Sequence, residues 1–205
     1  MIAQATSTQL EQARTLLGAG YSIIPIAENK KPAIPWKRYQ REAMPEDEAP
    51  RHWGRQDQSG IGLVCGAVSG NLEVIDFDIR NRTDLAAFWE SFRDNVVVTA
   101  GVDAFDNVAV ILTPGPGLQV VYRCSEPVGG NQKLARHNGT IDPETGKSGQ
   151  PGTFIETRGE GGYVLSAGSP GFCHPSGGTY RHLFGPQLHE LQPISPELRE
   201  TFLIE

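Results

Sequence analysis

The chain reads as α+β, with a mostly antiparallel sheet at its centre. Two observations predict this. Helices come first and strands mixed with helices follow, and the strand-like runs are short, rich in β-formers and separated by glycine- and proline-rich turns. Taken in order, Thr8 followed three residues later by Glu11 makes a capping box. Leu10, Ala13, Leu16 and Leu17 continue at helical spacing until Gly18 and Gly20 stop it. Residues 21–26 form a β-rich run ended by a loop through Pro32 and Pro35, and residues 45–53 read as a second, acidic helix. Residues 61–64 and 72–78 are strands separated by a glycine/serine turn over 66–70. Residues 83–93 are helical, with Leu85, Phe88, Trp89 and Phe92 on one face. Val96-Val97-Val98, residues 108–112 and residues 118–122 are strands, the last two joined by the turn Thr113-Pro114-Gly115-Pro116-Gly117. Residues 127–152 show no periodicity and predict a long exposed loop. Residues 153–157 and 163–166 predict a β-hairpin around 158–162, and residues 196–203 a final helix.

With 205 residues, 38% hydrophobic and 20% charged, the chain can bury a proper core as one large domain or two small ones, and fibrous or disordered classes are excluded. No apolar run reaches the roughly 18 residues of a membrane span. Met1-Ile2-Ala3-Gln4 lacks the opening of a signal peptide. The 3 cysteines, Cys65, Cys124 and Cys173, are widely spaced, and free thiols fit a reducing cytoplasm. A zinc site assembled from Cys124, His137, Cys173 and His174 lacks the short-range spacing such sites use and is not expected. The net charge of -6 argues against a generally basic nucleic-acid coat. Locally, however, Lys30, Lys31, Lys37, Arg38 and Arg41 crowd around Trp36 and Tyr39, a mixture that suits either a phosphate backbone with stacking bases or a solvated loop.

The densest chemical signal is Val74-Ile75-Asp76-Phe77-Asp78. Side chains at i and i+2 of a strand share a face, so Asp76 and Asp78 project together from an apolar segment. Two like charges side by side call for a cation, and a divalent metal held by oxygen ligands is the natural one. The plainer reading is a strand end whose aspartates cap a turn before Asn81-Arg82-Thr83. Phe154-Ile155-Glu156-Thr157-Arg158 repeats the pattern, an acid at the end of an apolar strand before a glycine-rich turn. If its strand lies beside that of Asp76, Glu156 completes a three-carboxylate cluster able to hold two ions roughly 3.5–4 Å apart. Arg158 would stand just behind it, able to grip a phosphate with two bonds.

An ordered series of segments resembles the primase-polymerase domain of the archaeo-eukaryotic primase superfamily, of the type carried by phages, plasmids and mobile elements. Pro25 through Lys30-Lys31-Pro32 and Trp36 is similar to its N-terminal lysine–proline–tryptophan segment, and Gly60-Ile61-Gly62-Leu63-Val64 with Val74-Ile75-Asp76-Phe77-Asp78 to its first catalytic motif. Residues 113–122 sit where the family enters its second motif, residues 155–165 resemble the third, and residues 170–180, with Cys173-His174-Pro175 and Gly177, the stretch that follows. The resemblance covers residues 16–182. It implies a single domain over 1–205 with an RRM-like catalytic sheet and a smaller packed αβ module, able to form the N-terminal part of a longer protein. It further implies a nucleotidyltransferase, a DNA primase and/or DNA polymerase acting by two Mg²⁺ or Mn²⁺ ions on single-stranded DNA template and primer with nucleoside triphosphates. A helicase module downstream or in trans is an implied partner.

The implied roles are Asp76, Asp78 and Glu156 as catalytic metal ligands, and Gln119, Arg158, Gly117 and Thr113 at the nucleotide. Lys30, Lys31, Trp36 and Arg38 would meet nucleic acid. One position departs from the pattern: the family's second motif carries serine–any–histidine where this chain has Gly117-Leu118-Gln119. Glutamine donates hydrogen bonds but carries no charge. The departure leaves open a slower enzyme, a different nucleotide preference or a degenerate site. A non-catalytic nucleic-acid-binding replication module and a metal-dependent nuclease are the alternatives.

Overall fold

The computed structural model describes residues 8–54, 59–79, 85–115, 117–137 and 152–204. Its helices are α1 (Gln9–Gly18), α2 (Ala49–Trp53), α3 (Leu85–Ala100) and α4 (Pro196–Ile204). Its strands are β1 (Ile23–Ile26), β2 (Gly60–Val64), β3 (Leu72–Asp78), β4 (Ala109–Leu112), β5 (Gly117–Arg123), β6 (Lys133–His137), β7 (Gly152–Arg158), β8 (Tyr163–Leu165) and β9 (Arg181–Phe184). The class is α+β, as the order of patterns predicts. The capping box is present: Thr8 Oγ1 accepts from the Glu11 amide at 3.2 Å and Glu11 Oε2 from the Thr8 amide at 2.7 Å.

Two antiparallel sheets carry the fold. The smaller has three strands in the order β1-β2-β8; the larger has six in the order β6-β7-β3-β5-β4-β9. Period-two alternation gives β3 two different faces. Leu72 and Val74, with Ala109, Ile111 and Val121, join a core shared with the smaller sheet, α1 and α2. Ile75 and Phe77, with Val120 and Tyr122, face the other way and meet Phe92 and Val96 of α3 and Phe202 of α4. Phe77 is held edge-on by Phe88 and Phe92, with ring centroids 5.4 and 5.1 Å away. Among the described residues no helix is long and apolar enough to cross a membrane.

Three local expectations need correction. Val96-Val97-Val98 is not a strand but the last turns of α3. β-branching disfavours helix by only a few tenths of a kcal/mol, and burying Val96 under the sheet while Val98 faces solvent outweighs it. Residues 153–157 and 163–166 do not form a hairpin: β7 pairs with β3 in the large sheet, while β8 pairs with β2 in the small one. The turn between them instead crosses from sheet to sheet. The expected loop over 127–152 contains β6, which pairs with β7 through two register shifts, and irregular pairing of this kind leaves little periodicity to read. Residues 138–151 of that stretch, together with the turn at Asn81-Arg82-Thr83 and Pro116, lie outside the described residues. Strand β9, at the edge of the large sheet beside β4, has no counterpart among the strands that the sequence pattern predicts.

Candidate active site

Cross-strand register assembles the site. Asp76 on β3 lies opposite Gln119 of β5 on one side and opposite Glu156 of β7 on the other. Directly opposed residues of an antiparallel ladder share a face, so all three point toward the smaller sheet. Asp78, two residues along β3, shares that face and sits opposite Gly117. Glycine is required at 117 by backbone proximity: a Cβ there would lie 2.3 Å from the Phe77 carbonyl oxygen and 2.9 Å from Thr113 Oγ1. The turn before it is fastened by Thr113, whose amide donates to Gly117 O at 3.0 Å and whose hydroxyl donates to Gly115 O at 3.0 Å.

The two sheet-to-sheet crossings bring a second wall against this face. Glu160 Oε2 accepts the Ala67 amide at 2.8 Å, so the crossing after β7 is tied to the one after β2. Gly159 packs so closely that a Cβ would come within 2.1 Å of Gly129 O, which forces glycine at that point. Between the walls lies a cleft of about 290 Å³ lined by Lys30, Trp36, Asp76, Gln119, Asn131, Arg158, the Gly161–Leu165 segment and Tyr180. A smaller chamber of about 60 Å³ adjoins it, bordered by Lys30, Asp76, Asp78, Thr113, Gly115, His174 and Tyr180. Lys30, Asp76 and Tyr180 border both.

Lys30 reaches this position through an unusual backbone. Asn29 and Lys30 are both left-handed, with φ of 57° and 62°, a conformation that costs non-glycine residues about 1–3 kcal/mol each. The Tyr163 hydroxyl donates to Lys30 O at 2.8 Å and holds the loop in place. Tyr163 also stacks edge-to-face with Trp36 at 4.9 Å, forming an aromatic rim on the cleft. Burial pushes the Asp76 carboxyl up to about 6; Arg158 and Lys30 pull it down, while Glu156 and Asp78 push it further up. Gln119 is 3% exposed, and among the described residues its Oε1 has no hydrogen-bond partner. A buried polar atom left this way is costly unless a ligand completes it.

The expected residues distribute unevenly. Asp76, Asp78, Glu156, Gln119, Arg158, Gly117 and Thr113 come together as their strands predict. Glu156, however, is ion-paired with Arg158, two residues along on the same face, so Arg158 engages the acid directly instead of standing behind it. Among the described residues no three histidine, cysteine, aspartate or glutamate side chains form a group placed to hold a metal. The donor chemistry nonetheless fits a hard divalent ion, because Mg²⁺ is usually bound by one or two carboxylates plus substrate phosphates and water. Asp76 and Asp78 supply the two carboxylates. The basic stretch is split: Lys30 and Trp36 line the cleft, Lys31 is exposed, and Arg38 lies apart, paired with Glu48 at 3.2 Å. Cys65, Cys124 and Cys173 are free and buried.

Sequence reasoning missed Asn131, Tyr163, Tyr180 and His174 as site residues. Tyr163 and His174 lie within segments that resemble the family, but only the fold shows that they face the carboxylates. A family model described as bifunctional DNA primase/polymerase, N-terminal, matches residues 13–197. No curated protein matches the chain significantly. The match begins within α1 and ends in the first turn of α4, and so encloses both sheets and every residue that lines the cleft; this protein belongs to the N-terminal bifunctional DNA primase/polymerase family.

Proposed function

We propose that this chain catalyses template-directed nucleotidyl transfer, as a DNA primase, a DNA polymerase or both, on single-stranded or primed DNA during replication of a mobile element. The carrying observation is the placement of Asp76 between Gln119 and Glu156, with Asp78 on the same face, at the junction of the two chambers. In this reading the large sheet is the RRM-like catalytic sheet and the small one, with α1 and α2, the packed αβ module. Asp76 and Asp78 would hold the divalent ions, with Glu156, ion-paired with Arg158, as the third carboxylate of the site. Mg²⁺ or Mn²⁺ bound there would lower the pKa of the attacking 3′-hydroxyl and neutralise charge on the departing pyrophosphate. Lys30 and Arg158 bind phosphate oxygens, and Arg158 can do so with two parallel bonds. The Trp36–Tyr163 rim gives a base an aromatic surface at the cleft mouth. Template and primer lie across the cleft, and a helicase downstream or in trans would supply single strands.

The test is incorporation of labelled nucleotides on single-stranded DNA, with and without a primer, in Mg²⁺ or Mn²⁺. The wild type should form product, and Asp76→Ala or Asp78→Ala should reduce it by orders of magnitude while the protein stays folded. No incorporation by the wild type with either ion would sink the proposal. Cleavage of the DNA in place of extension would favour a nuclease at the same carboxylates.

A further inference from the structure

His174 is the one imidazole beside the paired carboxylates among the described residues, and it arrives from the loop after β8, far along the chain from the second-motif position at 119. Its backbone is held on both sides: its amide donates to Gly171 O at 3.0 Å, and its carbonyl accepts from Gly177 N at 2.9 Å. The loop closes so tightly that a Cβ on Gly171 would lie 2.2 Å from Gly177 O. Next to it the buried Cys173 directs its thiol at Ile26 O, 3.6 Å away in the small sheet. The ring is oriented as well. Its Nδ1 accepts from the Ser176 amide at 3.1 Å and lies 2.8 Å from the Ser176 hydroxyl, and its edge meets Tyr180 with centroids 6.0 Å apart.

The Ser176 amide favours one tautomer. A backbone N–H can only donate, so Nδ1 offers its lone pair and the ring proton belongs to Nε2. A histidine that ligates a metal does the reverse, binding through one nitrogen and donating the other N–H to a carboxylate, carbonyl or water. His174 is therefore built as a hydrogen-bond donor and not as a metal ligand. It shares its chamber with Asp76, Asp78 and Lys30. What suits two carboxylates, an ammonium and an N–H donor together is an anionic oxygen brought in with a divalent cation.

We infer that His174 donates from Nε2–H to a phosphate oxygen of the nucleoside triphosphate gathered at Asp76 and Asp78. This rests on the nucleotidyl-transfer reading above. It makes His174 a residue of the triphosphate subsite, supplying from the opposite wall a donor to the substrate's phosphates, while Gln119 faces the larger cleft. The backbone hydrogen bonds and Ser176 fix the ring before the substrate arrives, so little further ordering is needed on binding.

The experiment is calorimetric titration of the full chain with Mn²⁺ alone, then with an α,β-imido deoxynucleoside triphosphate in saturating Mn²⁺. Wild type, His174→Ala, His174→Gln and His174→Asn are compared. A glutamine amide can reach the place of Nε2, and an asparagine amide only that of Nδ1. Triphosphate affinity should fall about tenfold or more in the alanine and asparagine variants. The glutamine variant should stay within about threefold of wild type, and Mn²⁺ affinity should be the same in all four. Wild-type triphosphate affinity in His174→Ala, rescue by asparagine equal to that by glutamine, or a parallel loss of Mn²⁺ binding would each overturn the inference alone. A wild type that binds no triphosphate overturns the nucleotidyl-transfer reading with it.

Discussion

Asp76 carries the conflict on which the site is built. Burial raises its carboxyl from 3.8 to about 6, against the pull of Arg158 and Lys30. In the metal-free protein the folded chain thus keeps this proton over a range where the unfolded chain has released it. The contribution to stability is fully present below the unfolded value and is lost as pH rises through about 6. Above that, holding the charge is a constant cost. Asp76→Asn removes the cost and nothing else of the packing. Its melting temperature should match wild type below about pH 4, rise above it between about pH 4 and 6, and keep the advantage beyond. Saturating Mn²⁺ should reverse the order near neutrality, because only wild type retains the ligand. Scanning calorimetry across this range checks it, and an offset independent of pH would refute the assignment of the shift to Asp76.

One strand serves two purposes at the level of elements. On the face of β3 away from the site, Glu73 is fully buried and accepts from Arg199 of α4 at 2.6 and 3.0 Å and from the Tyr122 hydroxyl at 2.7 Å. The pair pins α4 to the strand that presents Asp76 and Asp78. Removing one partner leaves a buried charge without its counter-ion, which costs about 3–5 kcal/mol. Arg199→Ala should lower the urea midpoint accordingly. The double replacement Glu73→Leu with Arg199→Met should recover part of that loss, since apolar residues of similar volume replace buried pairs at little cost while the buried Tyr122 hydroxyl loses its acceptor. A midpoint for Arg199→Ala equal to wild type would mean that α4 is held by its apolar packing alone.

Across the whole molecule the formal charge is -6, so nucleic acid meets a repulsive body with local cationic points. Lys30 stands in the cleft and Lys31 beside it on the surface, whereas Arg38 is turned to Glu48. Binding to single strands should be modest and salt-dependent. The Lys30→Ala/Lys31→Ala variant should flatten the slope of log affinity against log salt by about 0.7 for each phosphate that the protein no longer neutralises. Arg38→Ala should leave the slope nearly unchanged. Fluorescence anisotropy at several salt concentrations measures both, and an unchanged slope for the double-lysine variant would place the nucleic acid elsewhere.

The sequence by itself determined the elements whose signals are local. The capping box at Thr8 and Glu11, the alternating strand that exposes Asp76 and Asp78 together, and the acid of β7 were all legible because strand and helix periods act over a few residues. The same locality misread Val96-Val97-Val98, where burial against the sheet overrode β-propensity. It also made a hairpin of β7 and β8, because adjacency in sequence looks the same whether a turn closes one sheet or crosses to another. Only the tertiary structure decided that crossing, and with it the second wall of the cleft. The left-handed Lys30 held by Tyr163 and the arrival of His174 beside Asp78 follow from it. Each joins residues far apart in the chain or depends on how a packed wall turns a side chain, and no pattern within one element encodes such an arrangement.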